Sequence, residues 1–487
     1  MVFNSYSFLL FFPIVLVLTQ LAPAKWRNGL LLVASYVFYA SWGKRFCVLL
    51  LGLTVLVYAA GLLLGQKKRR WLFWLGLGGT LGALLVYKYL DFGLYSINAL
   101  TRALGLGEPM PRVSLLQPAG ISFFTFQAAG YLVDVYQGKY KAETNFVNFA
   151  LFVSFFPQLL SGPIGRGGEL LPQYREPKKP GFRDLRNGLC TMTWGYFLKL
   201  VIADRAAMLV DSVYGAYASL PGICLVFATV VYALQIYCDF AGYSAMAIGA
   251  GQMLGIRLPV NFRTPYFAQS VQEFWRRWHM SLSTWFRDYV YFPLGGSRCP
   301  RWKTYRNILI VFLLSGLWHG ASWSFALWGL LHGAYQILGK QTKGLREAAV
   351  RGLGIRTEAG SWKVLRMAVT FLLVDFAWLF FRADGLGTAL DMLRHIGTDL
   401  RPLELLDALK QGTMGLDVPD LWVLLLSTAL LTGADIARYR GADLRRWFGE
   451  QNFLLRELLL SGFMLLIIIL GIWGNGFHAS SFIYFQF

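Results

Sequence analysis

The chain has 487 residues, of which 56% are hydrophobic and only 15% charged, and its mean hydropathy is +0.47. That balance excludes an ordinary soluble domain and points to an all-α polytopic membrane protein. A net charge of +20 would suit a nucleic-acid partner, but the basic residues lie in short segments between apolar runs, where membrane topology already requires them, so no nucleic-acid partner is expected.

In chain order the apolar runs cover 8–21, 30–42, 47–64, 71–90, 189–203, 223–237, 308–330, 364–381, 421–431 and 458–473. At about 20 residues per crossing, the whole pattern allows roughly ten to twelve spans. The runs are continuously apolar, whereas a membrane β-barrel would show alternating segments of about ten residues. No charge precedes the first run between Met1 and Ser7, so it is expected to stay as a helix and not to be removed as a signal peptide.

Charge orients the chain. The basic segments 67–70, 175–186, 298–306, 340–363 and 438–446 are expected in the cytoplasm. Segment 382–420 carries Asp384, Asp391, Asp399, Glu404, Asp407, Asp417 and Asp420 against Arg382, Arg394, Arg401 and Lys410, so it is expected outside. Parity then places both termini outside. The cysteines Cys47, Cys190, Cys224, Cys238 and Cys299 show no metal-type spacing, and neither a phosphate-binding glycine loop nor a zinc helix is present in the sequence; no metal site is expected. Nothing repeats at a fixed period, and a single membrane domain over 1–487 is expected: N-terminal helices over 1–160, a catalytic core over 161–340, and C-terminal helices over 341–487 with an outer loop at 382–420 and an external tail at 475–487.

Segment 261–306 is too polar to cross a membrane. Phe274, Trp278, Leu282 and Trp285 recur at helical spacing, which predicts one amphipathic helix lying at the interface against membrane lipids or re-entering the bilayer. Its arginines can meet anionic headgroups; Arg276, Arg277 and Arg287, with Trp278 and Trp318, are also candidates for holding an anionic thioester carrier such as coenzyme A. His279 lies on this segment.

His319 lies in the apolar run ILIVFLLSGLWHGASWSFALWGL at 308–330, and an ionisable side chain at membrane depth is a functional-site hypothesis by default. An imidazole with an ordinary pKa near ~6.5 can take a proton from a hydroxyl and return it to a leaving group. Gly316 and Gly320 let backbone or substrate approach closely on one side. A histidine that only bonds a neighbouring helix is the plainer account of such a residue.

The blocks FWRRWHMSLSTWFRDYVYFPLGG (274–296) and SGLWHGASWSFALWGLLHG (315–333) resemble those of the membrane-bound O-acyltransferase superfamily. So do SGPIGR (161–166), QIYCDFAGYSAMAIGAGQMLGIRLPVNFRTPY (235–266) and the opening MVFNSYSFLLFF. YFPLGG (291–296) and the terminal SFIYFQF (481–487) are similar to the bacterial branch that O-acetylates alginate, cellulose and peptidoglycan; the D-alanyl transferase of teichoic acid synthesis is a cousin.

The resemblance implies about 11–12 transmembrane helices with short re-entrant or interfacial ones around a central funnel or tunnel. It implies His319 as the catalytic histidine and His279 as a supporting one. It also implies acetyl-CoA as acyl donor, and an extracytoplasmic, SGNH-hydrolase-like polysaccharide O-acetyltransferase as partner in the bacterial cytoplasmic membrane. The oxyanion of the reaction would meet backbone N–H groups near Gly316 and Gly320, or the side chains of His279 and Trp318. Phe482, Phe485 and Phe487 can tuck the tail back toward the outer funnel, leaving Tyr484 as a covalent acyl relay or as an interfacial anchor.

Other intramembrane polar residues have plainer expected roles. Asp239 is expected to repair a helix end or to orient a histidine. Asp134 and Lys199 are expected at helix ends, Asp375 paired with an arginine such as Arg382, His332 at the end of its helix and His395 in the outer loop. Alternatives to an O-acetylating enzyme are a D-alanyl, lipid or protein O-acyltransferase of the same fold, and a proton-coupled transporter. The latter should show two similar halves, which are absent from the sequence.

Overall fold

A computed structural model describes residues 1–111, 113–473 and 482. It is helical throughout, with no strand among the described residues. Among the described residues, six helices are long and apolar enough to cross a membrane: Lys44–Gln66, Arg70–Ala103, Gly222–Met253, Gly360–Arg382, Val418–Tyr439 and Phe453–Leu470. The protein is a multi-pass membrane protein. Backbone polar groups in hydrocarbon must be satisfied within the segment, and a continuous helix does this without a partner.

The chain divides into two compact units, 1–192 with 243–259, and 193–242 with 260–487. The first is built on Tyr6–Leu21, Ala24–Ala40, Lys44–Gln66, Arg70–Ala103 and Ile121–Tyr136. A phenylalanine cluster fills its core: the Phe38 ring lies 5.5 Å from Phe156 and 6.2 Å from Phe8. Arg27 is buried there yet not wasted, since its guanidinium donates to the carbonyl oxygens of Leu254, at 2.8 Å, and Lys178.

The second unit contains both histidine blocks. Its central feature is the hairpin of Arg301–His319 and Trp323–Gln341. Glycine makes that hairpin close. A Cβ at Gly316 would lie 2.1 Å from the Phe325 carbonyl oxygen, and one at Gly329 2.2 Å from that of Phe312. The two backbones therefore touch where a side chain would hold them apart, as small residues permit in membrane helix pairs. Ser324 Oγ then donates to the Phe380 carbonyl, tying the tip of the hairpin to Gly360–Arg382.

Among the unit's described residues, two segments are π-helical, Phe197–Ala203 and Arg287–Tyr291, a geometry that occurs mostly as local bulges and often at functional sites. Between Val271–Arg277 and Met280–Phe286 the single amphipathic helix expected from the sequence is broken. The first piece begins at Ser270, whose hydroxyl accepts from the Glu273 N–H at 3.1 Å, while the Glu273 carboxylate accepts from the Gln269 N–H at 2.8 Å. It ends at Trp278, which is extended, and His279 then turns through a φ of +41°.

Several expectations for polar residues change. Lys199 is not at a helix end: it lies inside Phe197–Ala203, buried, with its ammonium 2.8 Å from Asp204 and 2.6 Å from Asp239. Arg382 pairs with Asp211 at 2.6 Å instead of Asp375, which lies about two helical turns earlier on the helix that Arg382 ends. His332 sits within Trp323–Gln341, fully buried, where the Trp275 indole N–H donates to its Nδ1 at 3.2 Å. Helical register brings it onto the same inward face as Trp328. Asp134 does lie near the end of Ile121–Tyr136 and pairs with Lys139 at 2.7 Å.

Candidate active site

His319 is the last residue of Arg301–His319, and the extended Gly320 that follows stops the helix. His279 occupies the break between the two short helices. Both side chains are buried, and their ring centroids stand 6.5 Å apart at an interplanar angle of 60°. Trp318 is shared between them, 5.7 Å from His279 and 5.0 Å from His319.

Aromatic rings enclose the pair. Phe240 meets His279 edge-on at 4.6 Å, while Trp328 and Phe381 each approach His319 to 5.1 Å. Such walls exclude water and lower the local dielectric, which strengthens any hydrogen bond made inside. Burial pushes the His279 imidazole down to about 3, so this histidine, on a segment too short to span, is neutral at pH 7. It can donate or accept one hydrogen bond without carrying charge.

Of the residues expected at the site, His279, His319 and Trp318 come together. Trp278 does not join them: it is buried in the core, stacked on Phe274 at 5.3 Å and 5.2 Å from Trp378. Arg277 is held by Glu273 at 2.8 Å and lies over the Tyr439 ring at 5.5 Å. Arg287 pairs with Asp288 at 2.8 Å, and Arg276 is exposed. Tyr484 lies outside the described residues. Gly316 serves helix packing, so the close approach its neighbourhood allows is made by backbone.

Phe240 and Phe381 were not singled out from the sequence, and no local signal could have done so, since each comes from a distant helix. Asp239, beside Phe240, forms an ion pair with Lys199, which fits the structural role over that of a histidine partner. The described tail residue Phe482 is buried, with its ring 5.9 Å from Phe240; Phe240 thus touches both the tail and His279.

Residues 142–372, which include both histidines, match the model of the MBOAT, membrane-bound O-acyltransferase family. The chain is 41% identical over 399 residues to the probable alginate O-acetylase AlgI of Pseudomonas putida, covering 80% of this chain and 79% of that protein.

The chain belongs to the membrane-bound O-acyltransferase family.

A peptidoglycan O-acetyltransferase of Helicobacter pylori is 36% identical over 405 residues, 77% of this chain and 73% of its own. The teichoic acid D-alanyltransferase of Streptococcus thermophilus is 30% identical over 290 residues, 55% and 69%. This protein is therefore a membrane O-acyltransferase of the family's bacterial branch. Family membership decides against the transporter alternative.

Proposed function

We propose that the protein takes an acetyl group from acetyl-CoA at the cytoplasmic face and delivers it for O-acetylation of a cell-envelope or secreted polysaccharide, alginate, peptidoglycan or a similar polymer. The observation that carries this is the pairing of two buried histidines around Trp318 inside a membrane enzyme whose more similar relatives are named for O-acetylation. The D-alanyl alternative draws on a match over a smaller share of the chain.

His319 acts as general base on a hydroxyl, and the freed oxygen attacks the thioester carbonyl. The C–O bond forms as the C–S bond breaks, and the proton held on His319 passes to the leaving thiolate. An alcohol and a thioester thus become an ester and a thiol, with no net proton gained or lost. His279, neutral and beside Trp318, donates a hydrogen bond to the oxyanion. Arg276, Arg277 and Arg287, all on the segment that bears His279, receive the phosphates of coenzyme A at the cytoplasmic face. A carrier that large and charged does not cross hydrocarbon cheaply, so only the acetyl group passes.

Tyr484 supplies that hydroxyl, and its acetyl ester is then attacked by a serine hydroxyl of an extracytoplasmic, SGNH-hydrolase-like transferase, the serine's proton returning to the tyrosine oxygen as the first ester bond breaks. The contact of Phe482 with Phe240, whose ring also packs on His279, supports this reading. The enzyme resides in the bacterial cytoplasmic membrane with both termini outside.

The deciding experiment is mass spectrometry of the cell-wall and secreted polysaccharides from cells with and without the protein. Loss of O-acetyl from one polymer is the expected result and identifies the acceptor. Unchanged acetylation of every polymer overturns the proposal.

A further inference from the structure

His279 has a backbone conformation that a histidine seldom adopts. Its φ of +41° and ψ of 53° lie in the left-handed region, where the Cβ of an L-residue crowds the following carbonyl oxygen. A residue in such a place persists only when its surroundings hold it there, and sites of function are where this is found.

The holding group is visible. Met280 and Ser281, which follow His279, are both gripped by Asn261. The Met280 N–H donates to the Asn261 carbonyl at 3.0 Å. The Asn261 side-chain oxygen accepts twice more, from the Ser281 N–H at 3.3 Å and from the Ser281 hydroxyl at 2.6 Å. Asn261 is wholly buried, and Ser281 nearly so.

The same segment, a strap over 261–264, grips the other side of the break. The Arg263 N–H donates to the Arg277 carbonyl at 3.0 Å, and Arg277 Nη1 donates to Thr264 Oγ1 at 3.0 Å. Residues 261–264 thus straddle His279, holding Arg277 before it and Met280 and Ser281 after it. The stripe Phe274, Trp278, Leu282 and Trp285 would favour one continuous helix; the strap competes for the N–H and C=O groups that would continue it.

We propose that Asn261 is the positioning residue of the acyl-transfer site: by binding Met280 and Ser281 it keeps His279 in its left-handed turn and so aims the imidazole at Trp318 and His319. The inference rests on the reading of His279 as the supporting histidine. Only a side chain with an sp² oxygen of this length can take both Ser281 donors at once, so Asp can replace Asn and Ala cannot.

The test is a double-mutant cycle on the full chain, read as thiol release from acetyl-CoA by membranes that hold the protein together with its partner transferase and the polymer acceptor, and as polymer O-acetyl per unit of protein in cells. Misplacing a catalytic group by about 1 Å can cost ~10²-fold, so Asn261→Ala is expected to lower kcat roughly tenfold to a hundredfold with KM for acetyl-CoA little changed. Asn261→Asp should recover most of that loss. In a His279→Ala background Asn261→Ala should cost nothing further, because it acts through a group no longer there.

Multiplying losses in the double variant, or an unchanged kcat in Asn261→Ala, overturn the inference alone. A silent His279→Ala overturns the site reading beneath it as well. Should Asn261→Ala not accumulate, Ser281→Ala removes one of the two donors while leaving the strap in place; it must lower kcat in the native background and not in His279→Ala, and any other pattern overturns the inference.

Discussion

Trp318 packs against both buried histidines, 5.7 Å from His279 and 5.0 Å from His319, whose rings are themselves 6.5 Å apart. His319 and His279 come from separate helical segments, and the shared indole means that neither imidazole can move far without displacing the same wall.

His319→Ala should abolish acyl transfer while the protein still inserts and folds, since the change removes a general base whose loss usually costs at least ~10² in rate. His279→Ala should cost less. Polymer O-acetyl per unit of membrane protein is the measurement, and activity above about a tenth of the unaltered protein in His319→Ala is irreconcilable with a general base.

Tyr484→Phe keeps the ring and deletes the hydroxyl. If the tail carries the acyl group covalently, polymer acetylation should stop with the protein still present at its usual level. Normal acetylation would leave Tyr484 as an anchor only.

Charge-based topology predicts opposite accessibility for two loops. A cysteine placed at Gln411 should react with an impermeant thiol reagent in intact cells, and one at Gly344 should not, both in a background with the native cysteines replaced. The reverse labelling would invert the orientation.

Lys199→Met should destabilise the protein strongly. It leaves Asp204 and Asp239, both buried, facing each other without the ammonium that now lies 2.8 and 2.6 Å from them, and breaking a buried ion pair from one side costs about 3–5 kcal/mol. Thermal unfolding of the purified protein reads this directly. Because Asp239 adjoins Phe240, whose ring packs on His279, a fall in activity should accompany the loss of stability. An unchanged melting temperature would mean the cluster is held by other groups.

Much of the molecule was legible in the chain. Helicity and membrane residence follow from the hydrocarbon solvent, which leaves a continuous apolar run few alternatives to a helix. His319 was marked by the cost of an ionisable group at that depth, and the family by the two histidine blocks. The break at His279 was not legible, because Phe274, Trp278, Leu282 and Trp285 keep helical spacing straight through it. Local pattern records only what one segment prefers, and here a distant strap containing Asn261 outcompetes that preference.

What the sequence determined by itself was therefore the class of protein and its helical character, since these rest on composition and on the continuity of apolar runs, both local quantities. Tertiary structure alone decided that His279 and His319 share Trp318, that Phe240 and Phe381 wall them in, and that Lys199 lies between Asp204 and Asp239. Each of these depends on at least one contact between separate segments of the chain, whose geometry is set by helix packing, as where Gly316 meets Gly329, and by hydrogen bonds that no single segment can encode.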